Sequence, residues 1–95
     1  MNKSLKYTIE QTTIFKKDRK RTKKQNRDIA ELESVIKKLA CGEKLEPKYK
    51  DHKLRGNYEG CRECHINPDW LLIYYIYENQ LILTRTGSHS ELLNI

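Results

Sequence analysis

Residues 61–87, CRECHINPDWLLIYYIYENQLILTRTG, read as three consecutive β-strands joined by two tight turns. Trp70–Tyr77 is apolar or aromatic at almost every position, as a strand covered on both faces requires. Asn67-Pro68-Asp69-Trp70 before it fits a type I turn, with Asn first and Pro setting φ at the second position. Upstream of that turn, Cys61–Ile66 forms the first strand of the three. Downstream, Glu78-Asn79 is a tight turn into a strand over Gln80–Thr86. Gly87 breaks that strand, and Ser88 is placed to cap a short helix through Leu92.

Working back towards the N-terminus, Gly42–Gly60 has no sustained period and contains Pro47 and Gly56, so it reads as one long connection. Ile29, Leu32, Val35, Ile36 and Leu39 recur at three- and four-residue spacing and define the clearest helix. Asn26 is its expected N-cap, with Asp28 in the first turn against the dipole, and Gly42 its stop. An earlier helix starts at Thr12 or Thr13, anchored by Ile14 and Phe15, and Leu5–Ile9 alternates as a first strand. The expected order is β-α-α-β-β-β with a short C-terminal helix. That is an α+β fold: a helical hairpin packed on a small, mostly antiparallel sheet, as a single domain over residues 1–95.

Composition narrows the function. The 95 residues carry a net charge of +6, with 37% hydrophobic and 34% charged side chains, as a small globular domain with a thin core would. No apolar run reaches the ~20 residues of a membrane span. Met-Asn-Lys-Ser-Leu-Lys is not followed by an apolar stretch, so no secretory signal is expected and a cytoplasmic address is the default. Cys41, Cys61 and Cys64 then read as reduced thiols. The charge is asymmetric: residues 1–40 hold twelve Lys/Arg against five acids, residues 41–95 seven against eight. Lys16, Lys17, Lys20, Arg21, Lys23 and Lys24 crowd into one stretch, either a solvated helical face or a surface for a polyanion. Like charges so dense repel along a helix, which favours the phosphate-contacting reading.

Every histidine lies in the near-neutral half. Cys61-Arg-Glu-Cys64-His65 has a zinc-like spacing, but a structural site needs four ligands and no second pair follows. Side chains alternate on a strand, so Cys61 and Cys64 point to opposite faces and do not share one ion. A redox CxxC belongs at a helix N-terminus, which this is not. No metal and no cofactor is expected. The same alternation groups Cys61, Glu63 and His65 on one face; if Cys64 and Ile66 meet the helices, His65 faces the open side. RNA transesterification needs a base for the 2′-OH proton, an acid for the departing 5′-oxygen, and a cation for the phosphorane. Histidine, with an ordinary pKa near ~6.5, serves either proton role. Arg85 offers a planar fork for phosphate or, more simply, an ion pair with Glu63 or Asp69. Asp69 also satisfies its own turn, and Trp70 is either core or a stacking platform.

Taken together, Tyr49-Lys-Asp-His52, Leu54-x-Gly56, Arg62-Glu-x-His65, Pro68-Asp69-Trp70-Leu-Leu-Ile-Tyr74 and Arg85-Thr-Gly-Ser-His89 resemble the YafQ-like branch of the RelE/ParE toxin superfamily. The likeness spans the C-terminal half, and the element order agrees with that RelE-like fold. It implies a type II toxin that cuts mRNA in the ribosomal A site and is neutralised by an antitoxin, expected to be a ribbon-helix-helix protein. The catalytic set it implies is His52, His65, Asp69, Arg85 and His89, with Trp70 at the substrate and His89 as general acid. Asp69 and His65 both remain candidates for the base. Leu93 stands where the family has an aromatic that stacks on a base. By the same analogy the basic N-terminal helices grip ribosomal RNA. Two rivals stay open: a ParE-like inhibitor of DNA gyrase, and a non-catalytic RNA- or DNA-binding module.

Overall fold

The computed structural model describes residues 4–93; the first three residues, part of the stretch read above for a leader, lie outside it. Five strands form one sheet in the order β1-β5-β4-β3-β2: β1 (Thr8–Gln11), β2 (His52–Lys53), β3 (Arg62–Asn67), β4 (Trp70–Tyr77) and β5 (Gln80–Gly87). Only β1 and β5 run parallel; the other neighbours are antiparallel. The helices are α1 (Thr13–Lys24), α2 (Ile29–Ala40) and α3 (His89–Leu93). No helix among the described residues is long and apolar enough to cross a membrane.

The α+β architecture agrees with the expectation, with local differences. The first strand is Thr8–Gln11 rather than Leu5–Ile9, because the N–H groups of Lys6 and Tyr7 both bond the Ala40 carbonyl at the end of α2. Asn26 is not the N-cap of α2. It sits at φ 61° in the link between the helices, and the Asp28 carboxylate caps the helix by accepting the Glu31 N–H. The long connection is not wholly irregular. It holds 3-10 turns at Pro47–Tyr49 and Gly56–Tyr58, and between them the two-residue strand β2. Glu78 and Asn79 both have positive φ, the type I′ pattern that matches strand twist in a two-residue hairpin.

The sheet separates two apolar clusters. Leu32, Val35, Ile36 and Leu39 of α2 meet Cys64, Leu72, Tyr74, Leu81 and Leu83 on one face. Leu71, Ile73 and Leu92 form a smaller cluster on the other, flanked by Leu54, Tyr58, Cys61 and Leu93. Helix α1 joins the larger core mainly through Phe15, since Ile14 is 54% exposed. Its other buried side chains are Asp18 and Thr22, so polar bonds hold this helix. It lies along the part of β5 that β1 leaves bare. Thr12 Oγ1 donates to the Thr84 carbonyl, Arg21 Nη2 to the Thr86 carbonyl, and the Thr86 N–H to Asp18 Oδ2. A strand edge that would otherwise be exposed is thereby satisfied.

Candidate functional site

Strand alternation decides which side chains meet. Cys64 and Ile66 pack in the larger core, so Glu63 and His65 project from the face that carries Leu71 and Ile73. His52 pairs directly with Glu63 across β2 and β3, which puts both on that face. Lys50, at φ 49°, turns the chain into β2 and presents its carbonyl to His52 Nδ1 at 2.6 Å. Asp51 ties the same loop to the sheet, accepting from Arg62 Nε at 2.8 Å and from the Tyr74 hydroxyl at 2.5 Å. Burial, and then that bond to Asp51, push the Tyr74 phenol well above its ordinary value, so it stays a donor.

Arg85 reaches this face because of a break in register. Leu81 and Leu83 point into the larger core, and plain alternation would send Arg85 after them. Between Ile73 and Tyr74 the pairing steps from Arg85 to Leu83, leaving Thr84 extra on β5. This bulge turns Arg85 to the Ile73 side, a recognised effect of an inserted residue. Arg85, Ile73, Glu63 and His52 then share one row across four strands. Strand spacing sets Arg85 about 10 Å from Glu63.

His65 stands between the other two imidazoles as a ring neighbour of each. The ring centroids of His52 and His65 are 6.1 Å apart, and those of His65 and His89 5.5 Å. One buried carboxylate serves two of them: Glu63 Oε1 lies 3.1 Å from His65 Nε2 and 3.7 Å from His52 Nε2. Glu63 is 3% exposed. Asp69, 72% exposed at the hairpin tip, has Oδ1 3.6 Å from His89 Nδ1. His89 opens α3, whose N-terminus is a reciprocal cap: Ser88 Oγ accepts the Glu91 N–H, and Glu91 Oε1 accepts the Ser88 N–H. Two clefts flank the row. One, of about 380 Å³, lies beside His65 and is lined by Tyr49, Lys48, Lys50 and Pro68. The other, of about 480 Å³, lies beside Arg85 and is lined by Arg55, Asn57, Tyr58 and Leu93.

All five expected catalytic residues thus sit on or around one sheet face, with Arg85 paired to Asp18 rather than to Glu63 or Asp69. Glu63 joins them; alternation had placed it on one face with His65, but the only contact considered for it was an ion pair with Arg85. Trp70 does not offer a stacking platform. It is 1% exposed, and its Nε1 donates to Thr86 Oγ1 at 2.9 Å. The core alternative therefore holds for Trp70, which ties β4 to β5. Arg21 likewise turns inward, onto Asp18, Glu91 and the Thr86 carbonyl, while Lys16, Lys17, Lys20, Lys23 and Lys24 are exposed. Cys61 and Cys64 belong to opposite clusters, and burial raises both thiols above their ordinary value. The zinc-like spacing is not a chelating pair. Where three ligand atoms do converge is at His52, Glu63 and His65, all within 4.8 Å of one another.

Two tests arise from these contacts. Trp70→Phe should lower stability by about 1–3 kcal/mol, for a buried hydrogen bond and a small cavity, as read by urea denaturation. RNA cleavage per folded molecule should be unchanged; a collapse in rate at full stability would return Trp70 to the substrate. The second concerns acid. The Ser88 N–H, with help from Gln25 and Arg21, holds the Glu91 carboxyl below its ordinary value of 4.5 despite partial burial. A group depressed on folding stabilises above its ordinary pKa and loses that effect as pH falls through the depressed value. The amides of α3 should therefore lose exchange protection below pH 4.5 while those of β4 keep theirs, and Glu91→Gln should abolish the difference.

The chain matches a family model over residues 7–94, described as bacterial toxin of type II toxin-antitoxin system, YafQ. The mRNA interferase toxin YafQ of Escherichia coli K12 is 36% identical over 85 residues, covering 88% of this chain and 92% of that protein. Among solved structures, the E. coli DinJ-YafQ toxin-antitoxin complex contains a chain 34% identical with a TM-score of 0.86, covering 94% of this chain and 99% of the other. A metal-bound toxin from Helicobacter pylori is 48% identical with a TM-score of 0.86, over 92% and 99%. A likeness of this extent in both sequence and fold leaves one conclusion: the chain belongs to the YafQ family of bacterial toxins of type II toxin-antitoxin systems.

Proposed function

We propose that the protein is an mRNA interferase that cleaves mRNA in the ribosomal A site by general acid/base transesterification without a metal. The observation that carries this reading is the cluster of three imidazoles, two of them on one buried carboxylate, in the same sheet face as a fixed guanidinium. In the reaction the base removes the 2′-OH proton and O2′ attacks phosphorus. Arg85 meets the charge that grows on the phosphorane oxygens. His89 then protonates the departing 5′-oxygen, leaving a 2′,3′-cyclic phosphate and a 5′-hydroxyl. The short contact of His65 with Glu63 favours His65 as base, because a carboxylate on Nε2 fixes the orientation of the ring and leaves Nδ1 for the substrate. Asp69, close to His89 Nδ1, then orients the acid. The RNA runs between the two clefts, and Leu93 lines the one beside Arg85.

The exposed lysines of α1 suit contact with ribosomal RNA, in which case affinity falls steeply with salt. The E. coli relative is found with DinJ, and a cognate ribbon-helix-helix antitoxin is the partner proposed for this chain. Toeprinting of ribosome-bound mRNA with wild type and His89→Gln tests the whole reading. Cleavage only with ribosomes, insensitive to EDTA and absent in the mutant, is the expected pattern. Gyrase inhibition without RNA cleavage would favour the ParE-like alternative, and salt-sensitive binding without cleavage a plain nucleic-acid module.

The metal-bound H. pylori relative supports a second reading of the same residues. His52, Glu63 and His65 provide two imidazole nitrogens and a carboxylate oxygen, a donor set suited to a first-row divalent ion. An ion there would replace the direct contact of Glu63 with His65 on which the base assignment rests. Under the metal-free proposal added Zn²⁺ or Cu²⁺ slows cleavage and EDTA restores it; stimulation by metal would reverse the assignment.

A further inference from the structure

Helix α1 carries a single acid among seven basic side chains and two threonines, and that acid faces inward: Asp18 is 2% exposed. Its carboxylate accepts four hydrogen bonds. Oδ2 takes Arg85 Nε at 2.7 Å and the Thr86 N–H at 3.2 Å, while Oδ1 takes Arg85 Nη2 at 3.2 Å and Arg21 Nη1 at 3.0 Å. Two near-parallel bonds to Arg85 make a fork-on-fork pair, which fixes the plane of the guanidinium as well as its place. The Asp18 bond, against the opposing effect of burial, also raises the Arg85 pKa further above its ordinary value.

A guanidinium has five N–H donors. Asp18 takes one at Nε and one at Nη2, and the Tyr58 hydroxyl lies 3.5 Å from Nη1. The donors left over belong to Nη1 and Nη2, at the end of the side chain away from the backbone. An unrestrained arginine on a strand samples many rotamers, and ordering it upon substrate binding costs entropy. Here the carboxylate has ordered it beforehand.

We propose that Asp18 is the positioning residue of Arg85: it grips the Nε/Nη2 edge, so that the free donors point at the phosphate when RNA enters. This rests on reading Arg85 as the cation that meets the phosphorane. Asp18 itself touches no substrate. It acts from the basic helix, which thereby takes part in catalysis as well as in any contact with ribosomal RNA.

The test combines a double-mutant cycle with a probe of Arg85 that needs no activity. Asp18→Asn should lower kcat about 10–100-fold, the range expected when a group is displaced by about 1 Å, with KM changed less than twofold. In an Arg85→Ala background the same substitution should add nothing, since its target is gone. Asp18→Glu, which keeps the charge but lengthens the side chain, should fall between wild type and Asp18→Asn, and serves if the latter fails to fold. Separately, the Arg85 Nε–H resonance in ¹⁵N spectra should exchange slowly in wild type and rapidly in Asp18→Asn. Losses that multiply in the double mutant, or a freely exchanging Arg85 Nε–H in wild type, would overturn the proposal. If that N–H is protected by Asp18 yet Arg85→Ala cleaves RNA like wild type, the cleavage mechanism fails while the Asp18–Arg85 geometry stands.

Discussion

His89→Gln is expected to reduce mRNA cleavage by about 10²–10⁴-fold, the usual contribution of a positioned proton donor. Glutamine has a comparable reach and a hydrogen-bonding end but no proton to give at neutral pH. Its fold should survive. His89 is only partly buried, its contacts are the Asp69 carboxylate and the edge of His65, and α3 is capped by Ser88 and Glu91 rather than by the imidazole. Urea denaturation should therefore overlay that of wild type, and expression should no longer arrest growth. A variant as toxic as its parent would remove His89 from the reaction.

Glu63→Gln carries the second large effect. The carboxylate lies under two rings, with one oxygen at 3.1 Å from His65 and 3.7 Å from His52. Glutamine preserves volume but not charge, and it removes the carboxylate that holds His65 in place. We expect single-turnover cleavage to fall by about 10²-fold, near the lower bound for disabling a general base. Stability should drop by about 1–3 kcal/mol, as when a buried polar group loses its partner. If cleavage is unaltered, the Glu63 contact no longer argues for His65 as base, and Asp69 becomes the stronger candidate.

The strands of the C-terminal half were legible because their signals are local: alternation in Cys61–Ile66, a doubly covered run in Trp70–Tyr77, and turn residues between them. That His65 faces away from the helices followed from the same alternation. Other features depend on partners distant in sequence. The amphipathic pattern of α1 fails because its buried side is Phe15, Asp18 and Thr22, and the buried acid is satisfied chiefly by Arg85 and Thr86, 67 and 68 residues later. The bulge at Thr84 carries no distinctive residue, yet it decides on which face Arg85 emerges. Two residues of strand at His52 were lost in a charged loop, and with them the direct pairing with Glu63. Trp70 shows the converse error. A family likeness lends a substrate role to a side chain whose place at the start of a core strand already accounts for it.

The segment bearing His89 is only five residues long, far below the length at which a helix persists alone. Side-chain bonds of Glu91 to Arg21 and Gln25 and the packing of Leu92 are what dock it to the body of the molecule. Such a tail detaches at a lower free energy than the sheet beneath it unravels. On warming, the toxin should fall silent several degrees before its calorimetric melting peak, and recover fully on cooling from that interval.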